Sequence, residues 1–232
     1  MAQLIIPGDD LPSHSTDQNS QLIIGPGIYV NPINKSIIPI NSGLLNHQAN
    51  SLYIESNSRR YIPQQNDFVI GKVIGSFGDV FKVSLSNFSN SVSLSSMAFP
   101  NATKKNRPNI KNGNLVYARV SNANKEIDTE LECIDPTTGK DGGFGLLEGG
   151  YLLEVSLSFA RFLLFNPQCQ ILNELVKKCK FEIAIGCNGL IWIKSDELKY
   201  TLALSKCLEK AQFLKQDELN KVFNSTFKEL GL

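Results

Sequence analysis

The sequence predicts a multidomain β and α+β chain: a small N-terminal β domain over 1–62, a five-stranded closed barrel over 63–147 and an α+β domain over 148–232. Three observations predict it. The first 62 residues are short Ile-rich runs broken by Pro and Gly. The middle holds five β-branched and aromatic runs in quick succession, and helical periodicity appears only near the C-terminus. Hydrophobic residues make up 42% of the 232-residue chain, enough to bury real cores.

In the first domain, LIIPGDDLP, LIIGPGIYVNP and SIIPINSGLL read as small strands separated by turns, with Gly8 at the first. The polar SHSTDQNSQ between them reads as a loop. So short a domain has a limited core and gains stability by packing on a partner.

In the second, DFVIGKVIGSFGD, VFKVSLSN, SVSLSSMAF, NLVYARVSN and EIDTELECID are candidate strands, with a longer connection at 100–113 between the third and fourth. That arrangement fits an OB-fold barrel, with an SH3-like barrel as the competing reading. Gly71 and Gly75 lie inside the first strand, where a barrel strand must bend. Alternation sends Phe81, Val83 and Leu85 to the core and leaves Lys82 in water.

In the third, GGYLLEVSLS is a strand, SFARFLLF and QILNELVKKC are helices, FEIAI and LIWIK are strands, and two helices close the chain. Leu198, Leu202, Leu208 and Phe213 fall at helical spacings, with Asp196 placed as a cap. Strand, helix, helix, strand, strand, helix is the order of a KH domain. Such domains clamp RNA with a Gly-x-x-Gly loop between their first two helices. Here that connection, FNPQCQ, has neither glycine nor a basic residue. The tetrad Gly186-Cys187-Asn188-Gly189 instead joins two strands, and its Asn-Gly reads as hairpin chemistry in which positive φ is tolerated. Trp192 follows as a core or interdomain anchor, so Trp192→Arg is expected to destabilise the domain.

Charge is more informative in its distribution than in its total. Lys and Arg number 23 against 22 acids, a net +1 that argues against a free-standing, strongly basic nucleic-acid binder. Residues 63–125 nevertheless hold eight Lys or Arg and only Asp67 and Asp79 as acids, a local +6. Lys104, Lys105 and Arg107 form the densest cluster, on the long barrel loop and with few acids near them, where they can track a phosphate backbone. Lys82 on the barrel sheet is the fourth candidate RNA contact.

Signs of catalysis are sparse. His14 and His47 have no metal-ligand spacing, and nucleotide-loop and nucleophile-elbow motifs are absent. Glu126, Asp128, Glu130 and Glu132 recur at period two, as one solvent-facing side of a strand would. Five cysteines form no C-x-x-C pair and read as buried, reduced thiols of an intracellular protein. No apolar run approaches a membrane span, and the N-terminus does not read as a secretory signal.

RYIPQQNDFVIGKVIGSFGDVFKVSLSNFSNSVSLSSMAFPNATKKNRPN with NLVYARV resembles the S1 domain of RNA exosome cap subunits. FEIAIGCNGLIWIK resembles their KH domain, with its Gly-x-Asn-Gly hairpin, and IIPGD and GPGIY resemble their N-terminal domain. The resemblance is nearest the ribosomal RNA-processing protein 40 type. One departure is Asn114, where Gly-Asp is usual before the fourth strand, with Asn112-Gly113 keeping the turn. The resemblance implies a non-catalytic, cofactor-free subunit in the nucleus and nucleolus and also the cytoplasm. Its implied partners are RNase-PH-like ring subunits, other S1/KH cap subunits, single-stranded RNA and an exonuclease bound to the core. It implies a role in rRNA processing and RNA decay, with Gly8, Gly186, Asn188, Gly189 and Trp192 structural. A free-standing S1/KH RNA-binding regulator is the alternative.

Overall fold

A computed structural model describes residues 3–11, 22–48, 50–87, 89–103, 105–124, 126–166, 169–214 and 218–231. The chain forms two compact units, Met1–Ser58 and Arg59–Leu232.

The first unit contains β1 (Gln3–Ile5), β2 (Ile23–Ile24), β3 (Ile28–Val30), β4 (Ile37–Pro39), β5 (Gly43–Gln48) and β6 (Ser51–Glu55). One sheet runs β1-β5-β6-β2, and β3-β4 form a separate hairpin. Alternation along β6 sends Leu52 and Ile54 into a small core with Ile5, Ile28 and Leu45. The turn after β1 has Pro7 and Gly8 at its centre. It is closed by the Asp9 N–H donating to the Ile6 carbonyl at 3.1 Å, with Gly8 at φ 101°. Proline presets the first central position and glycine takes the positive φ of the second. Many large apolar side chains remain outside this small core. Leu4 and Leu44 face one another across β1 and β5, as do Tyr29 and Ile38 across β3 and β4, and all four are exposed.

The second unit begins with β7 (Phe68–Phe77), β8 (Val80–Ser84), β9 (Val92–Ser95), β10 (Leu115–Asn122) and β11 (Glu130–Glu132). β7 pairs with β8, β8 with β9, β9 in parallel with β11, and β11 with β10, which returns to β7. Such closure leaves these five strands without a free sheet edge and is the OB topology. Inside are Val69, Val73, Val83, Leu94, Val116, Val120 and Leu131. Gly71 is required by this curvature, since a Cβ there would lie 2.2 Å from Val83 Cγ1. The bend is finished by a register shift between Val73 and Gly75. Tyr61 belongs to this core and donates to Asp67 at 2.7 Å. Glu130 and Glu132 alone of the period-two acids lie on β11; Glu126 and Asp128 sit in the turn before it. The expected four-acid face is thereby reduced to two, because the strand begins only at Glu130.

β12 (Gly145–Leu147) adds to β10 outside the barrel. The α+β part follows: β13 (Tyr151–Glu154), α1 (Leu157–Phe165), α2 (Gln170–Val176), β14 (Glu182–Ile185), β15 (Leu190–Lys194), α3 (Leu198–Ala211) and α4 (Leu219–Glu229). Its antiparallel sheet runs β13-β15-β14, covered by helices over a core that includes Leu175, Ile191, Ile193, Leu204, Leu208 and Phe223. Ser156 caps α1 by accepting from the Phe159 N–H. The apolar face of α3 differs from the expected one. Thr201, Leu204, Ser205, Leu208 and Ala211 are buried, whereas Leu198 is 74% exposed and Phe213, beyond the helix, 87%. Thr201 and Ser205 let the true stripe pass for polar. The N-cap is Glu197, not Asp196, with no side-chain cap bond; the Ser195 N–H reaches the Thr201 hydroxyl instead.

Candidate nucleic-acid interface

The expected RNA contacts lie on β8 and on the loop before β10. Val83 and Leu85 point inward and Phe81 is half-buried against the core, so strand alternation turns Lys82 outward. Lys82 stands opposite Gly75 on one side and Ser93 on the other. Both neighbours are small, which leaves the lysine stem open space on the outer barrel surface. The β7–β8 hairpin turns through Gly78-Asp79, with Gly78 at φ 59°, and its Phe77 ring is 84% exposed. Phe77 lies two positions along β7 from Gly75, the partner of Lys82. One hairpin thus carries both an exposed ring, the kind of group on which a base can stack, and a lysine, the kind that can meet a phosphate.

Lys105 and Arg107 are exposed on the loop, and Lys104 lies outside the described residues. Arg107 forms an ion pair with Asp79 in the β7–β8 turn. The loop was expected to be poor in nearby acids, but the fold returns one to it. Asp79 is 28 positions away in sequence and adjacent in space, because both segments occupy the same end of the barrel. The pair ties the basic loop to the hairpin carrying Phe77 and Lys82. At the loop's end the Asn114 N–H donates to the Lys111 carbonyl, Gly113 sits at φ 92°, and Asn114 Oδ1 accepts from the Lys111 N–H at 2.7 Å. The side chain of the unusual Asn114 thus helps to close the turn.

The Gly-x-Asn-Gly hairpin faces the barrel. It is a three-residue loop: Gly186 N–H reaches the Leu190 carbonyl at 2.9 Å, and Gly189 N–H reaches the Gly186 carbonyl at 3.1 Å. Only Gly189 takes a positive φ, 78°; Asn188 does not, so Asn188 is not needed for its tolerance of that region. Its carboxamide has another use. Nδ2 donates to the Ile70 carbonyl and to the Leu85 carbonyl, both at 2.8 Å, while Oδ1 accepts from the Ile70 N–H at 3.3 Å. Asn188 is 6% exposed, and the adjacent Cys187 N–H donates to the Phe68 carbonyl at 2.7 Å. A Cβ on Gly186 would lie 2.3 Å from Asn188 Oδ1, and one on Gly189 2.6 Å from the Val155 carbonyl oxygen. This tetrad joins the α+β domain to the barrel, and its Gly186, Cys187 and Gly189 N–H groups are all taken by backbone carbonyls.

Trp192 completes the junction. It is buried with Ile70 and Ala184, against Tyr117 and Leu147, and its Nε1–H donates to the Gly149 carbonyl at 2.8 Å. Tyr117 donates to the Ile185 carbonyl at 3.2 Å, and burial pushes its phenol up to about 12. Burial likewise raises the Cys133 thiol to about 12 and those of Cys187 and Cys207 to about 11. All five cysteines are free; Cys179 alone is only partly buried. Among the described residues no three His, Cys, Asp or Glu side chains gather as a metal site. Among them, too, no helix is long and apolar enough to cross a membrane.

Comparison with known proteins covers nearly the whole chain. Residues 61–145 match the family model described as the S1 domain of exosome complex component RRP40. Residues 150–199 match a KH domain, and residues 22–60 match the exosome complex exonuclease Rrp40 N-terminal domain. The exosome complex component RRP40 of Saccharomyces cerevisiae is 51% identical over 90% of each chain. The Schizosaccharomyces pombe component rrp40 is 36% identical over 97% of this chain and 94% of that one. A solved structure, described as a candidate exosome complex RNA-binding protein, superposes with a TM-score of 0.58 over 74% of this chain and 97% of its own, at 20% identity. At that identity it speaks for the fold alone.

Proposed function

Because the chain belongs to the RRP40 family of exosome complex components, we propose that it is a non-catalytic cap subunit that steadies a ring of RNase-PH-like subunits and guides single-stranded RNA into the ring's central channel. Other S1/KH cap subunits sit beside it, and an exonuclease bound to the core degrades the threaded RNA from its 3′ end. The work includes rRNA processing and RNA decay, in the nucleus and nucleolus and also in the cytoplasm.

One observation carries this reading. The helix-to-helix connection where a free KH domain would clamp RNA has neither glycine nor a basic residue, and the Gly-x-Asn-Gly hairpin is spent on the barrel through Asn188, while Lys82, Lys105 and Arg107 stay at the barrel surface. Such a protein holds RNA weakly by itself and gains affinity from neighbours in an assembly. The exposed Leu4, Leu44, Tyr29 and Ile38 of the first unit are the kind of surface that a ring subunit would cover. Purification of the tagged chain from its own cells at moderate salt tests the proposal. Ring and cap partners should co-purify, and the isolated subunit should cleave no RNA. A monomer that binds RNA tightly or cuts it would overturn the reading.

A further inference from the structure

On the outer side of the barrel, away from the β7–β8 hairpin tip, a cavity of about 430 Å³ opens between the start of β7, the middle of β10 and the loop after β11. Asn66, Phe68, Arg119, Asp135, Pro136 and Phe144 line it. Its walls are preformed. The Phe68 and Phe144 rings stand 5.5 Å apart at 52°. The loop is folded on itself, with the Gly139 N–H on the Asp135 carbonyl and the Asp135 N–H on the Lys140 carbonyl, both at 2.8 Å. Asp135 is oriented by the Thr137 N–H at 3.0 Å and the Thr138 hydroxyl at 2.8 Å, donors that hold its carboxyl below the usual range.

Among the described residues the lining carries one cation and one carboxylate, and the cation is already paired with Glu132 outside the lining. That cation is Arg119, whose guanidinium is bound to Glu132 and to Asn66, which leaves Asp135 uncompensated among the lining groups. Arg119 Nε is buried in the wall without an acceptor. Aromatic rings beside a carboxylate suit a flat cation, stacked on the rings and paired at its edge. A phosphate-bearing nucleotide would meet the wrong sign. The buried Arg119 Nε is out of an occupant's reach, so recognition rests on the ring faces and the Asp135 carboxylate, which match the flat cation that a polypeptide carries in arginine.

We propose that the cavity receives an arginine side chain from a partner polypeptide, the guanidinium lying against Phe68 and Phe144 and pairing with Asp135. This site is separate from the RNA-facing surface and stands or falls independently of it.

The test is NMR titration of the full-length chain, labelled at its phenylalanine rings, with N-acetyl-arginine amide. The uncharged isostere N-acetyl-citrulline amide and uridine monophosphate serve as comparisons. Saturable shifts at Phe68 and Phe144 are expected with the arginine compound and roughly tenfold weaker binding with citrulline, from loss of the charge-assisted contact. Asp135→Asn, which retains an acceptor for Thr137, and Phe144→Leu should each abolish the effect while leaving the remaining spectrum in place. Equal binding of citrulline, binding retained in Asp135→Asn, occupancy by uridine monophosphate instead, or no saturable shift would each overturn the proposal.

Discussion

Asn188 and Ile70 are 118 positions apart in sequence, and they hold each other as a peptide pair would: the carboxamide of one accepts from the N–H and donates to the carbonyl of the other, at 3.3 and 2.8 Å. A second donated bond reaches the Leu85 carbonyl. Asn188→Ala removes all three bonds and leaves buried backbone groups unmet, each costing about 1–3 kcal/mol. Urea denaturation should show a loss of about 2–4 kcal/mol, shared between barrel and α+β domain. A loss under about 0.5 kcal/mol would mean the bonds are incidental.

The glycines around it make a graded series. Gly189→Ala combines a positive φ with a Cβ 2.6 Å from the fixed Val155 carbonyl oxygen, and should cost about 2–4 kcal/mol. Gly186→Ala needs no change of φ, but it pushes the Asn188 carboxamide off Ile70 and should cost a similar amount. Gly8 has open space around it, so Gly8→Ala carries only the conformational penalty of about 1 kcal/mol. Thermal melting of the three variants should reproduce this order.

Alkaline pH should weaken the second unit. Cys133, Cys187, Cys207 and Tyr117 are all held protonated by burial, with values of about 11 to 12 in the fold. In the unfolded chain thiols ionise from about pH 8.5 and phenols from about pH 10, so the unfolded state releases protons first. The contribution of these groups is complete below the unfolded values and is lost as pH rises toward the folded ones. Urea midpoints, measured with reductant present, should fall steadily from about pH 9 upward. Unchanged midpoints up to pH 11 would contradict the burial of these groups.

On the proposed reading, in which Arg107 meets RNA, its ion pair with Asp79 competes with that contact. Asp79→Asn should therefore strengthen binding of single-stranded RNA by the isolated subunit and steepen its salt dependence by up to about 0.7 per phosphate gained. Lys82→Ala should weaken binding and flatten the slope. Filter binding across a salt series reads both, and an Asp79→Asn slope equal to the parent's would show that the pair does not restrain Arg107.

Much of this architecture was legible in the sequence, because period-two alternation and turn residues are local signals. The five barrel strands and the order of the α+β elements followed from them. The α3 face is not legible in the sequence because Thr201 and Ser205, polar by type, are buried where their hydroxyls bond within the helix. Asn188 reads as turn chemistry because Asn-Gly is ambiguous: the same pair can supply positive φ or a carboxamide, and only the distant Ile70 and Leu85 backbone decides. The Arg107–Asp79 pair was hidden for the same reason, since barrel closure and not sequence proximity brings the two together. What a sequence can show of Asn188 is a carboxamide between two glycines with no local group that needs it.

The most direct test of an RNA-guiding structural subunit is the rate at which a reconstituted exosome degrades long single-stranded RNA when its copy of this chain carries Lys82→Ala, Lys105→Ala and Arg107→Ala together. An intact assembly that threads and degrades RNA more slowly is expected, with the relative deficit largest at low salt and shrinking as salt is raised, because the contacts removed are the ones that salt weakens. An intact assembly that degrades RNA at the parent rate across the salt series would contradict the RNA-guiding role.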